Sequence, residues 1–260
     1  GIVTREELWI TTKLWNTYHS PENVEPACRK SLQDLGIDYL DLYLIHFPIS
    51  LRYVPIDARY PPGWLYDPKS QNPCLEFDYV PVYKTWKSME NLCNKGLVRN
   101  IGLCNFNIAG IRDILSYCKI PPAVLQVELH PYNQQDKLLR FCKENSIVVT
   151  AFSPLGSSSY VEIDMAKKED SCLEEDIIIN IANKHNKTTA QILLCWAIQR
   201  NTLIIPKTIN ENRMKENLNI FDFELTKKDM EDIKKLEKSK RFNDPGEFTL
   251  GMNSFCPIYE

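Results

Sequence analysis

The chain has 260 residues, 43% hydrophobic and 25% charged, with 31 Lys and Arg against 34 Asp and Glu for a formal net charge of −3. The near-balance argues against a dedicated nucleic-acid partner, the ordinary composition excludes disordered, collagen-like and coiled-coil chains, and no apolar run approaches the ~20 residues of a membrane span. Nine cysteines, an odd number without a CxxC pair, read as reduced thiols of a cytoplasmic protein.

The chain opens Gly1-Ile2-Val3-Thr4 with no Met and nothing like a signal peptide. It reads as the middle of a longer protein. Leu8–Trp15 is short and rich in aromatic and β-branched residues, the pattern of a buried strand. Ser20-Pro21 marks a helix start. Val24, Ala27, Cys28, Ser31, Leu32 and Leu35 then recur at three- and four-residue spacing, and Gly36 follows as a C-terminal cap. Leu40–Pro48 reads as a strand that Pro48 must end. Residues 49–80 form a long loop, a length that usually carries function, and a helix over 81–95 closes at Gly96.

The alternation continues. Strands are predicted at Val98–Cys104, Val124–His130, Ile147–Phe152 and Leu203–Pro206, and helices over 107–117, 135–144, 175–185, 189–199, 210–217 and 226–238. Residues 239–260 read as irregular. Asn186-Lys187-Thr188 fits a glycosylation sequon, but Thr188 or Thr189 is better read as a helix cap. No composition break suggests a linker, so residues 1–260 form a single domain.

Strands alternating with helices imply a parallel sheet covered by helices. No GxGxxG follows any strand, which removes the dinucleotide fingerprint of a doubly wound sheet. Polar residues sit at strand C-terminal ends: Lys13, His46, Asn105, Glu128, Ser153 and Lys207. A (β/α)8 barrel gathers such ends on one face, and it is the better fit.

Lys13 stands in an otherwise apolar strand, where an ammonium is costly without a partner or a role. It is an edge lysine reaching solvent, a Schiff-base nucleophile, or a cation acting on a nearby acid. His46 is a satisfied core residue or a site residue. With four histidines and no HxH or HExxH pair, a metal site is disfavoured. His130 reads as structural. Lys207, Thr208 and Arg213 sit where a strand meets a helix and form either a solvated basic patch or an anion site.

Six stretches, WITTKLW, LDLYLIHFP, IGLCNF, LQVELHPY, TAFSPLG and IPKTINENRMKEN, resemble the aldo-keto reductase family in its order and spacing. The loop RYPPGW and the tail RFNDP resemble its aldose-reducing branch, with xylose and mannose-6-phosphate reductases. The resemblance implies a (β/α)8 barrel that binds NADPH and passes hydride to a carbonyl, with a tyrosine as proton donor. It assigns Lys13 to lowering that tyrosine's pKa, and His46 to orienting the carbonyl oxygen. For the cofactor it implies Asn105 and Gln126 on the carboxamide, with Cys104 where serine is common. Phe152 stacks on the nicotinamide in place of tyrosine. Ser153, Leu155 and Ser157 contact the pyrophosphate. Lys207, Thr208 and Arg213 take the 2′-phosphate, and Glu216 and Asn217 the adenine. The cationic pair implies NADPH over NADH. His46, Phe47, Trp64 and Asn243 line the substrate side, suited to a small sugar aldehyde. Arg52, Arg59 and Lys69 could meet a sugar phosphate but read better as a solvated loop face.

The family's aspartate and catalytic tyrosine lie in a stretch of the form D-x-A-x-x-Y, and none of the twelve tyrosines here stands in one. Tyr43 is three positions from His46 and should face the other way. The chain is therefore expected to lack the barrel's first two strand-helix units, to bind NADPH weakly and to turn over little. It should act as a monomer or homodimer. Two other functions remain: a non-catalytic NADP-binding or regulatory member of the same fold, and a Schiff-base aldolase using Lys13.

Overall fold

The computed structural model describes residues 2–163 and 165–259. Six strands, β1 (Thr11–Leu14), β2 (Leu40–Ile45), β3 (Val98–Cys104), β4 (Val124–Glu128), β5 (Val148–Phe152) and β6 (Thr202–Ile204), alternate with helices. Their order in the sheet is their order in the chain. The resolved pairings β1–β2, β2–β3 and β5–β6 are all parallel. This is the α/β pattern expected, with six strands in the sequential arrangement of a partial (β/α)8 fold.

The chain divides into two compact units, one formed by residues 1–125 and 245–260, the other by 126–244. In the first, α1 (Pro21–Leu35) begins with Pro at its first turn and ends at Gly36 in the left-handed region, φ 64°. Val24, Ala27, Cys28 and Leu32 form its buried face, the periodicity read from the sequence. The helices α2 (Val82–Asn94) and α3 (Ile108–Tyr117) follow. All six residues of β2 are buried.

The second unit holds α4 (Asp136–Glu144), a short α5 (Ser158–Val161), α6 (Asp176–His185), α7 (Thr189–Gln199), α8 (Glu211–Leu218) and α9 (Lys227–Lys234) along with β5 and β6. Leu129, Ala151, Ile178, Ile192, Trp196 and Ile233 lie in one buried cluster. Thr188 caps α7, its hydroxyl accepting from Gln191 N at 3.2 Å, which is the cap reading of that motif.

Three expectations are corrected. The first strand is shorter than the apolar run: Leu8 and Trp9 are exposed and only Leu14 of β1 is fully buried, because β1 is hydrogen-bonded on the β2 side alone. The segment after β5, for which the sequence predicts no element before residue 175, carries α5, one turn too short for a hydrophobic period to register. The tail is ordered. It holds α10 (Pro245–Phe248) and a 3-10 turn. In the first unit Leu75 N donates to Ser254 Oγ at 2.8 Å and Asn253 Nδ2 to Pro73 O at 3.0 Å. Such long-range anchors leave no local periodicity. All nine cysteines are free, and no helix among the described residues is long and apolar enough to cross a membrane.

Candidate active site

The strand register builds the centre of the first unit. Lys13 pairs with Leu44, and Leu44 with Gly102. His46 and Cys104 each lie two residues further along their strands, so all project from one face. Burial and the Lys13 ammonium together push the His46 imidazole down to about 3, which keeps it neutral near pH 7 and able to donate a hydrogen bond. Burial raises the Cys104 thiol to about 12 despite the opposing pull of Lys13, so it stays protonated and unreactive. Tyr43 is buried on the other face, as its odd spacing from His46 requires.

Aromatic rings wall this centre. The Trp15 ring meets His46 edge-on at 5.1 Å and Trp64 at 5.2 Å. Phe47 lies 5.0 Å from His46 and 5.1 Å from Trp64, and Phe248 5.1 Å from Trp64. Trp15 Nε1 donates to Gly63 O at 2.9 Å, tying the long loop to the strand end. The sequence reading singled out Phe47 and Trp64 and missed Trp15 and Phe248. Trp15 was findable, since it stands two residues beyond Lys13; Phe248 arrives from the tail and gives no local signal. Arg52 pairs with Glu76 at 2.6 Å, and Arg59 donates to the carbonyls of Leu65 and Tyr66, so both hold the loop together. A cavity of about 520 Å³ lies elsewhere in this unit, between Pro48, Phe77, Tyr79 and Phe255.

Asn105 follows β3 in the left-handed region, φ 63°. Its Nδ2 donates to His46 O at 3.0 Å and Cys104 Sγ at 3.3 Å, and its Oδ1 accepts from the Tyr259 hydroxyl at 3.1 Å. The carbonyl of the predicted carbonyl-orienting histidine and the amide of the predicted carboxamide ligand are therefore one structure. Tyr259 was not foreseen.

The second unit holds the predicted dinucleotide residues other than Cys104 and Asn105. Gln126 is buried in β4 and Phe152, half-buried, ends β5. Ser153 has φ 50°, and Leu155 packs on the core cluster. Ser157 is fully buried and its Oγ has no partner among the described residues. That is an unmet hydrogen bond of the kind a ligand satisfies. Lys207 and Thr208 occupy the turn between β6 and α8, and Arg213 lies in the first turn of α8. Asn210 caps this helix by accepting from Arg213 N at 3.1 Å, and Thr208 Oγ1 accepts from Asn210 N at 3.1 Å. Lys207 and Arg213 are exposed, and neither side chain pairs with a carboxylate among the described residues. Two unneutralised cations at a helix N-terminus suit a phosphate. Glu216 does not have both of its functions free: its carboxylate accepts from the Thr188 hydroxyl at 2.5 Å and its carbonyl from Gln191 Nε2 at 3.2 Å, so it also fastens α8 to α7. Asn217 is half-buried beside it.

Glu128 and His130 pair at 2.7 Å, both buried. Glu128 also accepts from the backbone N–H groups of Phe242 and Asn243, each at 2.8 Å. His130 is thus structural, and Glu128 holds the predicted substrate-side Asn243 in place. No group of three His, Cys, Asp or Glu able to hold a metal occurs among the described residues.

The family pattern described as "Aldo/keto reductase family" matches residues 2–238. A probable NAD(P)H-dependent D-xylose reductase of Aspergillus clavatus is 44% identical, covering 100% of this chain and 78% of that protein. A 4-dihydromethyl-trisporate dehydrogenase of Mucor mucedo is 45% identical over 98% of this chain and 79% of its own length. Among solved structures, the aldose reductase of Schistosoma japonicum superposes with a TM-score of 0.83 at 34% identity, covering 100% of this chain and 78% of that one. The ordered strand-end residues, the parallel α/β sheet and these likenesses agree: the chain belongs to the aldo/keto reductase family.

Proposed function

We propose that this chain binds NADPH and serves the reduction of an aldose or related aldehyde to its alcohol. One observation carries the reading: Lys13, His46 and Cys104 share a strand face in which the imidazole is neutral. The NAD(P)H dependence and the sugar substrate named for the xylose reductase relatives support it.

The group fits the residues present. Lys207, Thr208 and Arg213 would hold the 2′-phosphate, Ser153, Leu155 and Ser157 the pyrophosphate, Phe152, Gln126, Asn105 and Cys104 the nicotinamide, and Glu216 and Asn217 the adenine. When bound, the reduced dinucleotide supplies a hydride. The neutral His46 donates a hydrogen bond to the carbonyl oxygen as negative charge builds there, and the Lys13 ammonium stabilises the same charge. Trp15, Phe47 and Trp64 exclude water from the reacting carbon. The low-dielectric wall strengthens both electrostatic effects.

Residues 1–260 hold no D-x-A-x-x-Y stretch, so the proton donor of the family pattern has no counterpart among them. This favours a second reading, a non-catalytic NADP-binding or regulatory member. In either case the nine free thiols support a reducing, cytoplasmic setting, with the protein a monomer or homodimer and residues 1–260 one functional domain. The test is calorimetric titration of purified residues 1–260 with NADPH and NADH, alongside NADPH oxidation with xylose, mannose 6-phosphate and a steroid ketone. NADPH should bind more tightly than NADH, with little or no turnover. Absence of binding sinks the reading, and robust reduction of any of the three removes the second reading and the low-turnover expectation.

A further inference from the structure

Tyr160, in α5, is 7% exposed. Its hydroxyl lies 2.8 Å from Ser153 Oγ and accepts from Asn243 Nδ2 at 3.4 Å. Its ring stacks on Phe242 at 5.8 Å, and Phe242 lies 5.1 Å from His130. Glu128, through the backbone N–H groups of Phe242 and Asn243, fixes that stack from below. The phenol is therefore held between the loop after β5 and the residue on the substrate side.

Proton directions follow from the donors available. An amide NH2 can only donate, so the Tyr160 oxygen accepts from Asn243. Between Tyr160 and Ser153 either hydroxyl can be the donor; a phosphate acceptor beside Ser153 selects the arrangement in which the phenolic proton goes to Ser153 Oγ and Ser153 keeps its own proton for the phosphate. Close by in sequence and fold, Ser157 Oγ and Asn243 Oδ1 are buried without partners among the described residues. The three groups together present one donor, one rotatable hydroxyl and one acceptor.

We propose that Tyr160 is a positioning residue which, through the relay Asn243 to Tyr160 to Ser153, sets the Ser153 hydroxyl as a donor to the pyrophosphate of the dinucleotide. The assignment rests on the dinucleotide reading above. It makes cofactor affinity depend on the substrate-side Asn243.

Tyr160→Phe removes the hydroxyl and keeps the ring stack. Calorimetric titration of the full chain with NADPH and with 2′-AMP, which has no pyrophosphate, reads the effect. The NADPH Kd should rise about 3- to 10-fold, the change expected for one hydrogen bond, with the 2′-AMP Kd unchanged. Tyr160→Phe/Ser153→Ala should bind NADPH no worse than Ser153→Ala alone, because both remove the same interaction. NADPH affinity equal to wild type, a parallel loss for both ligands, or additive losses in the double variant would each overturn the assignment. Should Tyr160→Phe not fold, Asn243→Ala cuts the same relay and carries the same two-ligand comparison. A wild-type chain that binds neither ligand overturns the dinucleotide reading itself, whereas binding with an unaffected Tyr160→Phe overturns only the role of Tyr160.

Discussion

The Tyr259 hydroxyl donates to Asn105 Oδ1 at 3.1 Å, while Asn105 Nδ2 is engaged with His46 O and Cys104 Sγ. A residue of the tail thus occupies the acceptor that the proposed function assigns to a nicotinamide carboxamide. A carboxamide must displace the phenol or share the oxygen with it.

Tyr259→Phe should therefore tighten NADPH binding. One hydrogen bond corresponds to about 0.5–1.5 kcal/mol, or roughly a 2- to 10-fold fall in Kd. Fluorescence titration of wild type and variant measures it, and weaker binding by the variant would show that Tyr259 supports the site instead of competing for it.

Lys207 and Arg213 have no carboxylate partner among the described residues. Lys207→Ala and Arg213→Ala should each weaken NADPH by about 10-fold, as charge-assisted hydrogen bonds to phosphate are removed. NADH, which has no 2′-phosphate, should be almost unaffected. An equal loss for both dinucleotides would place the cations elsewhere in recognition. The NADPH effect should shrink as salt is raised, because both side chains are exposed.

His46 and His19 are both held near 3 by burial, with Lys13 adding to the effect on His46. Each has a folded pKa below its ordinary value of about 6.5. Above about 6.5 neither state of the chain binds a proton at these rings. Below it, the unfolded chain takes up protons that the folded chain refuses. Stability should thus be lost as pH falls from about 6.5 towards 3, at up to about 1.4 kcal/mol per pH unit for each histidine. Urea midpoints at a series of pH values measure it. His19→Gln should flatten the profile in this range, and an unchanged slope would show that His19 takes no part.

Gly102 lies in the row with Lys13 and Leu44. A Cβ there would stand 2.3 Å from Val124 O and 2.8 Å from Leu44 Cδ2. The first is backbone and cannot rotate away. Gly102→Ala should cost about 3 kcal/mol or more, beyond ordinary overpacking. Gly96 offers a control: its φ is 69° and nothing lies within 4 Å of a built Cβ, so Gly96→Ala should cost only about 1 kcal/mol from backbone strain. Chemical denaturation of the pair gives the contrast, and equal costs would contradict the close approach.

Much of this protein was legible from its residues alone. Strand and helix order came from periodicity, since a buried strand such as β2 and an amphipathic helix such as α1 write their burial into three- to six-residue spacings. The resemblance proposed roles for Lys13, His46, Lys207 and Arg213, and the register places the first two on one face. Tertiary structure decided what depends on distant partners. Trp15, Phe248 and Tyr259 join the centre of the first unit because chain segments far apart in sequence converge there. Glu128, Phe242, Asn243 and Tyr160 form one assembly through hydrogen bonds spanning more than eighty residues. Glu216 doubles as a helix fastener because Thr188 packs against it. A local pattern reports which way a side chain points relative to its own backbone. Which group it then meets, and whether its proton, its lone pair or its charge is already engaged, is settled only when the chain has closed upon itself.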